Sequence, residues 1–96
     1  MTAALITLPA VLDLNAALAL KNDIQARIGA PLDLDAAQVE RLGGLCAQIL
    51  IAAALSWRGA GAPFRVVNAS TAFCDDARLL GAANLIPQGD GSVSTC

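Results

Sequence analysis

The chain has 96 residues, six Lys and Arg against eight Asp and Glu, and is 56% hydrophobic with 15% charged residues. That length supports one domain, and that hydrophobicity excludes extended disorder. A net charge of −2 with scattered arginines excludes the basic stripe that nucleic acid requires.

Residues 4–8 read as a first strand closed by Pro9. Asp13 or Asn15 then caps a predicted helix over residues 16–28. Ala17, Leu20, Ile24 and Ile28 fall on one face of it, with Lys21, Asn22, Asp23, Gln25 and Arg27 largely opposite, so it covers one side of a sheet. Gly29 ends it and Pro31 prevents its continuation. Residues 32–36 form a second, centrally placed strand.

A Gly43-Gly44 turn leads into a second helix, over residues 44–58, that is apolar on nearly all sides. Its thin polar edge holds Gln48 and Ser56 with Ala52 between them. The uncharged run 42–57 lies between Arg41 and Arg58 and is shorter than the roughly 20 residues of a membrane-spanning helix. A core helix is expected, and no membrane insertion. The segment 59–63 is a turn, and residues 64–68 are a third strand. Ser70 or Thr71 caps a third helix, with Asp75 and Asp76 near its positive end and Phe73, Ala77 and Leu80 on its buried side. Gly81 closes it. Residues 87–96 are expected to be a flexible tail. Strand and helix alternate three times, which predicts a single α/β domain over residues 1–86, with a mostly parallel sheet of about four strands packed with helices.

Histidine and tyrosine are absent, which removes the commonest general base and the commonest zinc ligand. Cys46, Cys74 and Cys96 form no CxxC pair, so neither a disulfide framework nor a zinc site is expected, and a reducing cytoplasm fits. The N-terminal segment lacks the basic start and long apolar run of a signal peptide.

Asp33 and Asp35 resemble a magnesium-binding or phosphoryl-accepting pair, but the chain's one lysine, Lys21, lies on a helix, so turn or cap chemistry is the expectation. Gly43-Gly44 could cradle an anion, yet there is no GxGxxG or GK[ST]. Cys46 falls in the first turn of the second helix, where the helix dipole lowers a thiol pKa. With no histidine as base it reads as a small buried hydrophobe. Trp57 reads as core. No nucleophile–base pair or metal cluster can be assembled, so no enzymatic activity, cofactor or metal is expected.

The run PLDLDAAQVERLGGLCAQILIAAALSWRGAGAPFRVVNASTAF resembles the STAS family of anti-sigma-factor-antagonist-like domains. In that pattern a strand ends in an aspartate, and an Asp-Ser-Ser-Gly-Leu-like loop then opens a helix. A later segment runs from glycine through a hydrophobic strand to a serine. Asp33 to Asp35 match the strand end, Gly43-Gly44-Leu45-Cys46 the loop, and Gly61 to Ser70 the later segment. The resemblance spans residues 5–86. It implies a non-enzymatic interaction module of bacterial signal transduction, chemotaxis-associated or anti-sigma-factor-antagonist-like, docking on a kinase-like, anti-sigma or chemotaxis protein.

One branch of the family is a subunit of a phospholipid-transport ABC complex, where the partner is the transporter ATPase. A small-anion or nucleotide binder is a further alternative, and a homodimer is compatible with the composition. The expected partner surface is Gln38, Glu40, Arg41, Gly43, Gly44, Leu45 and Gln48. The family's phosphoacceptor serine falls at Gly44 or Leu45, and no Ser, Thr or Tyr lies between Asp35 and Leu55. The usual phosphorylation switch is therefore missing, and Ser70 and Thr71 are the candidate substitutes.

Overall fold

The computed structural model describes residues 4–82. In chain order it contains β1 (Ala4–Thr7), β2 (Val11–Leu12), α1 (Leu14–Gln25), β3 (Leu32–Asp35), β4 (Arg41–Leu42), α2 (Gly44–Ala60), β5 (Phe64–Val67) and α3 (Thr71–Leu79). The expected domain end at residue 86 and the tail over 87–96 lie outside the described residues.

The class is α/β with parallel strands, as expected, but among the described residues the main sheet has three strands rather than about four. β3 lies between β1 and β5, and both pairings are parallel. The other two strands form a separate parallel ladder, Val11 opposite Arg41 and Leu12 opposite Leu42. Two-residue strands leave no hydrophobic alternation to read.

Register sorts the main sheet into rows. Leu32 faces Ala4 and Phe64, and Leu34 faces Ile6 and Val66. These rows are buried or half-buried. The alternate rows, Leu5–Asp33–Arg65 and Thr7–Asp35–Val67, point to the opposite, more exposed side. There Arg65 donates from Nε and Nη2 to the two carboxylate oxygens of Asp33, at 3.2 and 3.1 Å. Asp35 Oδ1 accepts the Ala37 N–H at 2.9 Å and fixes the turn that leaves the strand. Ion pairing and turn chemistry thus occupy both aspartates.

Asp13 caps α1, accepting the Ala16 N–H at 3.1 Å. Ala17, Leu20 and Ile24 are buried, but the helix ends at Gln25 with Ala26 as its C-cap. Ile28 therefore sits in the following turn, 62% exposed, and the expectation that it belongs to the buried face is corrected. In α2 the buried stripe is Cys46, Ala47, Leu50, Ala53, Ala54 and Trp57. The helix closes at Gly61, whose φ of 72° is a left-handed conformation that L side chains rarely adopt. Trp57 is core, as expected: its Nε1 donates to the Ala30 carbonyl at 2.7 Å, and its ring lies 5.4 Å from that of Phe64.

In α3 the buried residues are Phe73, Cys74 and Ala77. Leu80 falls just past the last helical residue and is 47% exposed, which corrects its assignment to the buried side. Asp75 and Asp76 lie beyond the first turn of α3, so they do not serve its N-terminal end. Cys46 is a free, buried thiol, and Cys74 is likewise buried. No helix among the described residues is long and apolar enough to cross a membrane.

Candidate functional site

The segment between β3 and α2 is irregular, yet most of its polar groups are anchored. Ala36 donates its N–H to the Val67 carbonyl and Val39 donates to Ala36. The Glu40 and Arg41 N–H groups both reach the Ala10 carbonyl, and the Gly43 N–H reaches the Leu12 carbonyl at 2.8 Å. α3 and its N-cap residue supply two side-chain anchors. Ser70 Oγ donates to the Val39 carbonyl at 2.6 Å, and Asp76 Oδ2 accepts the Leu42 N–H at 2.8 Å. Hydrogen bonds from a neutral donor to a carboxylate are stronger than neutral pairs, so Asp76 is the firmer of the two.

The two glycines at this junction have different roles. A Cβ on Gly43 would stand 2.9 Å from the Leu12 carbonyl oxygen, so glycine is required for the close β2–β4 approach. A Cβ on Gly44 would meet only Leu80 Cδ2 at 4.0 Å. Gly44, Leu45 and Gln48 are all exposed on the first turns of α2, with Leu80 beside them. Glu40 and Arg41 are exposed on the approach to that turn. The Gln38 side chain instead braces the strand β1 exit, donating from Nε2 to the Leu8 carbonyl at 3.1 Å. The seven expected partner-site residues thus comprise an exposed cluster, one brace and one close-packed glycine.

Cys46 has the environment of a structural residue. It is fully buried, and its thiol donates to the Asp13 carbonyl at 3.4 Å. Burial first, and the nearby Asp13 carboxylate second, push its pKa above the ordinary 9.0. Desolvation thus outweighs the helix dipole, which alone would lower it, and the reading of Cys46 as a small buried hydrophobe holds. Ser70 is occupied twice over, donating to Val39 and accepting the Phe73 N–H at 3.0 Å as the α3 cap. Thr71, the first residue of α3, is exposed.

Sequence reasoning missed Asp76 and Leu80 as parts of this site. Asp76 sits 34 residues from the amide it binds, a separation that no local pattern reports. Leu80 was assigned inward by helical period, although the helix has ended before it.

A family model described as "Mlab, STAS domain" matches residues 2–87. With the parallel β-α architecture, this defines the protein's class: the chain belongs to the STAS family. No curated protein matches the sequence significantly. STAS domains occur in signalling and transport-related proteins.

Proposed function

We propose that this protein is a non-enzymatic docking module that binds a protein partner through the β4–α2 junction, with Gly44 at its centre. The observation that carries this is the contrast between support and surface. The junction backbone is held from β2 and α3, while its outward residues, Gly44, Leu45, Gln48 and the neighbouring Leu80, are exposed and uncharged. A preorganised surface with a bare glycine lets a partner approach the backbone closely at low ordering cost.

The setting favoured is constitutive docking, as a subunit bracing the ATPase of a phospholipid-transport ABC complex. Neither Gly44 nor Leu45 can accept a phosphoryl group, and a brace needs no such switch. The Mlab description of the matching family agrees with the transport branch. The second setting is bacterial signal transduction, chemotaxis-associated or anti-sigma-factor-antagonist-like. It needs a phosphoacceptor elsewhere, and Thr71 is the freer of the two candidates because Ser70 already uses its hydroxyl hydrogen. Both settings place the protein in the cytoplasm.

Affinity capture from cells, read by mass spectrometry with Gly44→Arg as control, tests the proposal. Selective loss of an ABC ATPase with the variant supports the transport setting. Loss of a kinase-like or chemoreceptor-cluster protein supports signalling. Heat on titration with ATP or inorganic phosphate, with no protein captured, would replace docking by small-anion binding.

A further inference from the structure

A furrow runs between α1 and α2, starting at the proposed docking junction. Its first part has a volume of about 410 Å³ and is lined by Leu14, Leu18, Lys21, Leu45, Ile49 and Ala52, among others. Leu14 and Leu18, at its mouth, are 74% and 67% exposed and one helical turn apart. A second hollow of about 170 Å³ continues it past Lys21 and Ile49 to Ile28 and Trp57. Lys21 lines both parts, and it has no ion-pair partner among the described residues. The twelve residues of α1 give the furrow a length of about 18 Å, roughly three helical turns.

We propose that this furrow receives an amphipathic α-helix of a partner protein, with apolar residues at i, i+3 or i+4, and i+7, and a carboxylate placed against Lys21. The inference rests on the docking reading and specifies its partner, since Leu45 and Gln48 belong to both the junction and the furrow. Helix-in-groove recognition needs an apolar trough of this length with few polar fixing points. The single cation at the middle selects the partner's charge. A second copy of this chain is a poorer occupant, because two concave furrows do not fill one another and a two-fold axis there would bring the Lys21 side chains together. A lipid surface is also poorer: one lysine on a chain of net charge −2 offers little attraction to anionic headgroups.

The test is peptide-display selection against the full chain, using a library of helix-forming 14-residue peptides, followed by Kd measurement on the enriched sequences. Wild-type protein is expected to enrich the apolar spacing with a central Asp or Glu. Lys21→Glu is expected to enrich Lys or Arg at that place, with at least a tenfold reversal of preference. Leu18→Asp changes an exposed residue, and a thermal melt checks that its fold is retained. It is expected to weaken the selected peptides at least tenfold.

Enrichment without the apolar spacing, or a charge preference that Lys21→Glu leaves unchanged, overturns the proposal. So does a dimer by sedimentation that Leu18→Asp dissociates, or binding to phosphatidylglycerol vesicles that the same variant abolishes. If Gly44→Arg blocks a captured partner and Leu18→Asp does not, the junction stands and the furrow assignment fails. The reverse result keeps the furrow and removes the junction.

Discussion

Asp76 on α3 accepts the backbone N–H of Leu42, 34 residues earlier in the chain, at 2.8 Å. One carboxylate thereby joins α3 to the strand that delivers α2. With Ser70 on Val39, it holds the β4–α2 junction from a segment later in the chain. Asp76→Ala should destabilise the fold by about 1–2 kcal/mol, since it leaves a part-buried amide without its charged acceptor. Asp76→Asn, which keeps an acceptor oxygen, should recover part of that loss. Hydrogen exchange at the Leu42 amide reads the contact directly. Exchange as slow in the alanine variant as in wild type would show that the clamp does not protect it.

The adjacent glycines should respond oppositely to the same substitution. Gly43→Ala drives a methyl group into the Leu12 carbonyl and should cost about 1–3 kcal/mol, typical of overpacking against backbone. Gly44→Ala has open space and helical geometry, so it should be neutral or stabilising by up to about 1 kcal/mol. Urea unfolding of the two variants checks this, and equal destabilisation would contradict the assignment.

Trp57 is the chain's single tryptophan and is 2% exposed. Its fluorescence should be blue-shifted and resistant to iodide quenching, moving to longer wavelength on unfolding. Trp57→Phe removes the bond to the Ala30 carbonyl and should cost about 1–3 kcal/mol, from the lost bond and the incompletely filled space. A red-shifted native spectrum would contradict the buried placement.

Cys46 gives a pH signature of known sign. Its pKa is raised on folding above 9.0, so the unfolded chain loses this proton first. The stability linked to the neutral thiol is fully present below pH 9 and declines as pH rises through 9 toward the folded value. Subtracting the Cys46→Ala stability–pH curve from that of wild type should isolate this decline. Residue-resolved alkylation at pH 8 should find Cys46 slow to react unless the chain unfolds. Rapid alkylation of native protein would contradict its burial.

The main elements were legible because their hydrophobic periods are intact: Ala17, Leu20 and Ile24 on α1, and Leu32 and Leu34 alternating with Asp33 and Asp35. The Gly43–Gly44 junction was legible from its glycines, though their unequal roles depend on a carbonyl that β2 brings close. What sequence hid was short or non-local. β2 and β4 are two residues each, Leu80 lies past a helix end that period alone does not mark, and the Ser70 and Asp76 anchors span more than thirty residues. Cys46 was legible as a small buried hydrophobe, but the direction of its pKa shift was not, because burial set by tertiary packing outweighs the dipole effect its helix position suggests.

The central claim, docking through a preorganised β4–α2 junction, is tested most directly by binding of the captured partner to wild-type and Gly44→Arg protein, with thermal melts of both. The account predicts at least a hundredfold weaker binding by the variant and a melting temperature within about 2 °C of wild type, because Gly44 meets only Leu80 and surface changes are close to neutral. Unchanged binding by a folded Gly44→Arg variant would contradict it.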